Sequence, residues 1–414
     1  MMLVVFSACN VHQSTGSAKP DQNEACPRDL PSRYDILLDA GSTGTRIHIF
    51  EYNSKQLLRE TFDSVTPGLS HFARGDPGGA GKSIRKLMET ALNAVPASHY
   101  QCTRVALKAT AGLRLLPLEK SEGVLREVER TLRKYPFVLD SVSIMSGEEE
   151  GVGAWLTVAY LLGLAEGPAT GSNSTTLRTG VAVFDVGGAS AQVVFPVPSG
   201  YKGKEQQISH LRYGGEDTLL FRYSFLGLGI NQAILRVLLR LQPDERSVFS
   251  CLPSGYRHFV QWGGEAPFVV ENVDGKMQEF GACLSHFNSF FKELPSDQLT
   301  VIEQMRSLMR LRSSSGPIDM FGLSFFHHLL WRFNKSEVVT VKRYRELGEL
   351  TCSASARQDR ATTCMDLAYL YSFLSTLLGL NDDTTLNVPD KLRSVKASWA
   401  LGASLLSAAA KLVR

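Results

Sequence analysis

No Cys-x-x-Cys pair occurs anywhere in the 414 residues, and the spacing of the seven cysteines argues against a zinc site. No stretch reaches the roughly 18 uninterrupted apolar residues that a membrane-spanning helix needs. The best attempt, Trp399–Ala410, is interrupted by Gly and Ser and reads as a packed helix. Net charge is scarce too: +3, with Lys and Arg scattered and no basic stripe interleaved with aromatics, so nucleic acid is not an expected partner. Neither a Ser-His-Asp nor a Cys-His arrangement is evident. What remains, 43% hydrophobic and 21% charged, is the composition of an ordinary globular protein, long enough for two or three domains or one large two-lobed one.

The last four cysteines fall into two local pairs, Cys251 with Cys283 and Cys352 with Cys364, compatible with disulfides that close surface loops. Two sequons, Asn173-Ser174-Thr175 and Asn334-Lys335-Ser336, also fit an oxidising compartment and favour the secretory route. The N-terminal MMLVVFSACNVHQSTGS opens on an apolar run too short to span a bilayer and without a basic n-region. It reads as the remnant of a signal peptide or membrane anchor, or else as a plain ragged terminus, and residues 1–33 as a tail.

Val181–Phe195, VAVFDVGGASAQVVF, is an apolar strand ending in Asp185, a turn through Gly187, Gly188, Ala189 and Ser190, and a second apolar strand. Glycines let a backbone approach an anion, and the aspartate can hold a metal or a metal-bound water. Tyr34–Phe50, YDILLDAGSTGTRIHIF, says nearly the same thing. Asp39 corresponds to Asp185, Gly41 to Gly187, Thr43 to Ala189 and Arg46 to Gln192. The copies lie too far apart for a solenoid. They suit two related lobes, each offering one loop to a shared cleft.

Asp76–Ser83, DPGGAGKS, ends like a P-loop but has Asp76 where the first glycine belongs and no buried strand before it, so it reads as a loop and helix start. The following amphipathic helix stops at Pro96. VALKATAGLR at 105–114 alternates as a strand and breaks at Ala111-Gly112, which puts Thr110 and Arg114 at or just beyond a strand end, where sites in α/β folds are built. After a helix at about 121–135 and a strand at 142–145 comes Ser146-Gly147-Glu148-Glu149-Glu150-Gly151, leading into a helix at 152–162. The glutamates are either a solvated helix start or the source of one general base facing a cleft; local reasoning does not choose among them. Residues 164–179 read as an exposed loop, 230–241 as an amphipathic helix, and the stretch between Cys251 and Cys283 as loops or short strands. Met320–Phe333 reads as core with a polar edge, and 365–380 and 398–413 as further apolar helices.

Five motifs stand in order: DAGSTGTR at 39–46, ATAGLR at 109–114, SGEEEGVGAW at 146–155, DVGGASAQVVF at 185–195 and SWALGAS at 398–404. Together they resemble the conserved regions of the nucleoside triphosphate diphosphohydrolases, the apyrase and guanosine-diphosphatase family. CMDLAYL at 364–370 with SWALGAS is most similar to the soluble and Golgi-type members. The resemblance implies an α/β fold of two actin-like (RNase H-like) lobes around a nucleotide cleft: lobe I over 34–163, completed by the C-terminal helix at 397–414, and lobe II over 164–396. It implies that Asp39 and Asp185 hold Mg²⁺ or Ca²⁺ largely through water. Ser42, Thr43, Gly44 and Thr45 in one turn, and Gly187, Gly188, Ala189 and Ser190 in the other, would bind phosphate. Thr110 would sit near the metal or terminal phosphate, with Arg114 supporting the site. Glu150 would be the base, and Ser190 and Gln192 would orient the water. The Cys251–Cys283 and Cys352–Cys364 disulfides match those of the soluble members. Two departures stand out. Gly153-Ala154-Trp155 replaces the usual Tyr-Gly-Trp, and Ser324-Phe325-Phe326-His327-His328 replaces a tyrosine-rich segment, leaving Phe325, Phe326 and His327 as candidates for base stacking.

The expected activity is metal-dependent hydrolysis of the terminal phosphate of nucleoside diphosphates such as GDP and UDP, by a monomer of the secretory pathway whose membrane anchoring is open. Phosphoryl transfer to water needs an in-line nucleophile and charge neutralisation, which two aspartates, a metal, two turns and one carboxylate supply. The alternatives are a broader apyrase acting on ATP and ADP, a kinase of the same superfold, or a non-catalytic nucleotide-binding module.

Overall fold

The structure, a computed structural model, describes residues 30–53, 56–165, 180–198, 200–203, 205–213, 216–260, 267–273, 278–333, 336–353 and 361–412. The N-terminal tail up to residue 29, most of the 164–179 loop and both sequon asparagines lie outside this set.

The first sheet is an antiparallel meander, β1 (Arg33–Ala40), β2 (Thr45–Tyr52) and β3 (Leu57–Val65), extended by two strands parallel to β1, β4 (Arg104–Ala109) and β5 (Val138–Ile144). Their order is β3-β2-β1-β4-β5. Helices α1 (Pro77–Ser83), α2 (Arg85–Ala94), α3 (Ala111–Arg114) and α4 (Leu118–Leu132) connect these strands, and α5 (Gly147–Leu161) leads to the second sheet. There β6 (Val181–Val186), β7 (Ser190–Pro196), β8 (Ile208–Tyr213) and β9 (Glu216–Leu226) are followed by α6 (Ile230–Arg240) and a small hairpin of β10 (Arg257–Val260) and β11 (Phe268–Glu271). Then come α7 (Phe280–Lys292), α8 (Ser296–Ser314), β12 (Asp319–Ser324), α9 (Phe325–Leu330), β13 (Val338–Thr340), α10 (Val341–Ser353), α11 (Thr363–Ser372), β14 (Thr385–Asn387) and α12 (Ala400–Leu412).

The second sheet runs β13-β14-β12-β6-β7-β9-β8. Within it, β9-β7-β6-β12-β14 repeats the order and the strand directions of the first sheet. The duplication seen in two hairpins therefore extends over five strands, the RNase H-like pattern of two actin-like lobes.

Alternation along the central strands explains the layering. Ile36, Leu38 and Ala40 of β1 pack with Leu87, Met88 and Ala91 of α2 and Val124 and Val128 of α4 in the core of the first lobe. Leu37 points to the opposite face and joins Phe50, Trp155 of α5 and Trp399. In β6, Ala182, Phe184 and Val186 enter the large core of the second lobe, while Val181 and Val183 reach the same shared cluster as Leu37. That shared cluster lies where the lobes meet. Helix α5, apolar nearly all round, fills it, as such a helix must. It packs on β6, β7 and β9, and α12 packs on α5 and on β1 and β2. The contact of α5 with α12 is backbone on backbone: a Cβ on Gly402 would lie 2.0 Å from the Gly153 carbonyl oxygen. Gly153, one of the departures noted above, thus sits where α12 comes closest.

Some elements differ from expectation. Asp76–Ser83 is not a loop: Asp76 caps the Gly79 amide at 2.9 Å and Pro77 opens α1, so cap and proline override the poor helix propensity of three glycines. The α5 helix starts at Gly147, so all three glutamates lie in its first turn. The Met320–Phe333 stretch divides into strand β12 and the short helix α9. Disulfides join Cys251 to Cys283 and Cys352 to Cys364, and Cys102 is disulfide-bonded as well. No helix among the described residues is long and apolar enough to cross a membrane.

Candidate active site

The two hairpins share one register. Asp39 faces Arg46 across β1 and β2, and Asp185 faces Gln192 across β6 and β7. Their turns meet: a Cβ on Gly188 would lie 2.6 Å from Ser42 Oγ and 3.1 Å from Thr43 Cγ2, so a side chain there would drive the loops apart. Helix α6 has no side-chain cap, and its first amides use the second turn instead. Ile230 N donates to Gly187 O at 2.9 Å, and Asn231 N and Gln232 N donate to Gly188 O at 3.0 and 3.1 Å. This anchors the turn and places the positive end of a helix dipole behind it. Together the turns line a cleft of about 370 Å³ that also takes in Asp39, Thr110, Glu150, Asp185, Ser190 and Gln192.

The three glutamates have separate fates. Ser146 caps α5, accepting from Glu149 N at 3.1 Å, and Glu149 Oε2 accepts from Ser146 N at 2.9 Å. Glu149 is therefore spent in a capping box. Glu148 is half-buried, and only Glu150 is buried and faces the cleft. Glu150 Oε2 accepts from Arg114 Nη2 at 2.7 Å and from Gln192 Nε2 at 3.3 Å. Gln192 Nε2 also reaches Ser190 Oγ at 2.8 Å and Ser224 Oγ at 2.9 Å, and Arg114 also donates to Ser190 Oγ at 3.2 Å and Met145 O at 3.0 Å. Burial raises the Glu150 carboxyl to about 8, with Asp185 and Asp39 adding repulsion and Arg114 opposing it.

Asp39 and Asp185 are buried at the ends of β1 and β6, and one oxygen of each, Oδ1, has no hydrogen-bond partner. Burial raises Asp185 to about 6, and its repulsion from Asp39 adds to this; Asp39 is raised by burial and held down by Arg46. Two orphaned carboxylate oxygens in one cleft fit a divalent cation bound largely through water.

Thr110, buried at the end of β4, lines the cleft. So do Ser42 and Thr43, whereas Gly44 packs on Val65 of β3 and Thr45 is fully buried. Arg114 lies behind Glu150 and does not line the cleft. Among the base-stacking candidates, Phe325 and His327 line it, His327 donating through Nδ1–H to Val388 O at 2.8 Å. Phe326 does not: it is fully buried between Tyr344 and Phe373.

Several further residues, to which no sequence motif assigns a role, also reach the site. Ser324 lines the cleft, hydrogen-bonds Asp185 and adopts φ 58° and ψ −111°. It ends β12, which lies beside β6 as β4 lies beside β1, so extending the duplication to a third strand would have pointed to it. Arg46, His48 and Trp399 also line the cleft.

The molecule is thus a two-lobed actin-like enzyme whose paired hairpins converge on one cleft. Residues 26–299 match the GDA1/CD39 (nucleoside phosphatase) family, and the chain belongs to that family. It is 32% identical over 404 residues to ectonucleoside triphosphate diphosphohydrolase 5 of Gallus gallus, covering 92% of this chain and 89% of that protein. With the nucleoside diphosphate phosphatase ENTPD5 of Homo sapiens it shares 30% identity over 432 residues, covering 97% and 95%. With ectonucleoside triphosphate diphosphohydrolase 6 of Mus musculus it shares 31% over 394 residues, covering 89% and 80%. A solved structure of nucleoside triphosphate hydrolases from Neospora caninum superposes with a TM-score of 0.57 at 15% identity, over 90% of this chain and 92% of that one, which bears on the fold alone.

Proposed function

We propose that the chain hydrolyses the terminal phosphate of nucleoside diphosphates such as GDP and UDP in a compartment of the secretory pathway, using Mg²⁺ or Ca²⁺. The observation that carries this reading is the buried Glu150 carboxylate, tied to Arg114 and Gln192, both of which also bond Ser190, in the same cleft as two unpartnered aspartate oxygens. Glu150 accepts a proton from the attacking water, and Ser190 and Gln192 orient that water. Ser42, Thr43, Thr110 and the Gly187–Ala189 turn hold the phosphate oxygens. Asp39 and Asp185 would hold a cation that, when bound, would neutralise charge on the phosphate and on these two carboxylates that repel Glu150. Phe325 and His327 line the cleft and are the candidates to contact the base, His327 through the ring face not stacked on Trp331. The diphosphate preference rests on the name of the human relative, and the oxidising compartment on the disulfides.

The test is phosphate release from GDP, UDP, ADP, GTP and ATP, with Mg²⁺, Ca²⁺ or chelator. Cation-dependent release, fastest from GDP or UDP, is expected. Release chiefly from ATP and ADP would favour the broader apyrase, and no release from any nucleotide would reject hydrolysis. Glu150→Gln should lower turnover by about 10²- to 10⁴-fold, the usual share of a general base, while nucleotide still binds.

A further inference from the structure

Resting on the hydrolase reading, we propose that the guanidinium of Arg46 binds the phosphate that stays with the nucleoside and stabilises the charge that builds on the leaving group. The observation behind this is the duplication itself. Arg46 holds the place in the first hairpin that Gln192 holds in the second, each opposite its lobe's aspartate. In the second lobe that place builds the water side of the site, because Gln192 bonds Glu150 and Ser190. In-line transfer puts the attacking water and the leaving group on opposite sides of phosphorus. With the water side supplied by α5 and the second hairpin, the matching wall of the first lobe faces the leaving group.

The side chain is suited to that task. Arg46 lines the cleft, its side chain is 31% exposed, and its hydrogen-bond partner among the described residues is Asp39 Oδ2 at a long 3.4 Å. Most of its five N–H donors therefore remain free for a planar, two-pronged grip on phosphate oxygens. It lies 3.4 Å from Asp39 and lines the cleft that holds Asp185, and its charge favours the ionised form of both carboxyls. Two residues along the same face of β2, His48 is 1% exposed and lines the same wall. Its Nδ1 lies 2.6 Å from Glu60 Oε1, and its Nε2 has no partner. The wall of β2 thus offers nitrogen-bearing side chains that the protein satisfies only in part. In the reaction, the water oxygen bonds to the terminal phosphorus and its proton passes to Glu150. The bond from that phosphorus to the bridging oxygen breaks, and its electron pair stays on the nucleoside monophosphate beside Arg46.

Equilibrium binding tests this without turnover. The full chain carrying Glu150→Gln is titrated with GDP and separately with GMP in Mg²⁺, with Arg46 intact or replaced by Gln or Lys. Arg46→Gln should weaken both ligands by a similar factor, about ten- to a hundredfold, as expected for charge-assisted hydrogen bonds, with Arg46→Lys intermediate. Unchanged affinity for both ligands overturns the proposal. So does weakening of GDP alone, which would put the guanidinium on the transferred phosphate, or a loss that vanishes at saturating Mg²⁺, which would make Arg46 only a counter-charge to Asp39. Thermal unfolding without ligand checks the fold. Should Arg46→Gln not fold, Arg46→Lys keeps the charge beside Asp39 but loses the fork, and parental affinity for GMP then overturns the proposal. A parent chain that releases no phosphate but binds GDP and GMP in an Arg46-dependent way would reject hydrolysis while keeping this phosphate contact.

Discussion

Replacing Arg114 with glutamine should move the acid limb of the pH–rate profile upward. Arg114 Nη2 lies 2.7 Å from Glu150 Oε2, and the two side chains are only 13% and 10% exposed, so solvent screens the pair little. The guanidinium favours the ionised carboxylate against the burial that drives Glu150 up to about 8. A hydrogen bond to a charged group contributes about 1.5–3 kcal/mol. At about 1.4 kcal/mol per pH unit, its loss raises the Glu150 carboxyl by roughly one to two units. The sign follows from the mechanism: activity needs the carboxylate, a higher pKa means protonation at higher pH, and the rate therefore begins to fall earlier on acidification. The assay is phosphate release from GDP between pH 5 and 9 at saturating cation, with thermal unfolding at each pH to confirm that the variant stays folded. An acid limb that stays in place, or moves toward lower pH, would refute the assignment of Glu150 as base or of Arg114 as its counter-charge.

Other consequences follow from the same geometry. Glu150 and Asp185 are both raised above their ordinary values, to about 8 and about 6, so in the cation-free chain these two groups favour the folded state most at low pH. Stability should fall as pH rises from about 4 through 8, a slope that thermal unfolding in chelator measures and that added Mg²⁺ or the Glu150→Gln substitution should flatten. Gly188→Ala places a methyl 2.6 Å from Ser42 Oγ, a flexible contact that can yield without unfolding the lobe. Activity should fall by about tenfold to a hundredfold with the melting temperature nearly unchanged, and parental activity would contradict the interlocked turns. Gly402→Ala meets backbone at 2.0 Å in the contact of α12 with α5, so it should destabilise the fold by about 1–3 kcal/mol in denaturant unfolding; an unchanged midpoint would argue against that close approach.

Much of the fold is legible in the sequence alone. The strand–turn–strand pattern around Asp39 and Asp185 is carried by residues adjacent in sequence, and alternation alone exposes it. What the single sequence hid was settled by tertiary contact. Three glutamates in one helical turn look alike along the chain, yet Ser146-x-x-Glu149 is a readable capping signature that removes Glu149, and burial against the second hairpin distinguishes Glu150 from Glu148. Phe325 and Phe326 are neighbours with opposite fates because a helix turns them to different sides, one to the cleft and one to the core. Ser324 was hidden because the third strand of each lobe shares direction and place but almost no sequence. Gly44 and Thr45 adjoin the phosphate turn without lining the cleft, since β2 begins at Thr45 and buries it.

The central claim is that water held by Glu150, Ser190 and Gln192 attacks the terminal phosphorus of a nucleoside diphosphate. Turnover of GDP with Mg²⁺ in ¹⁸O-labelled water tests it most directly, with the products resolved by mass spectrometry. The label should appear in inorganic phosphate and not in GMP. Label in GMP, or phosphate released without label, would contradict the account.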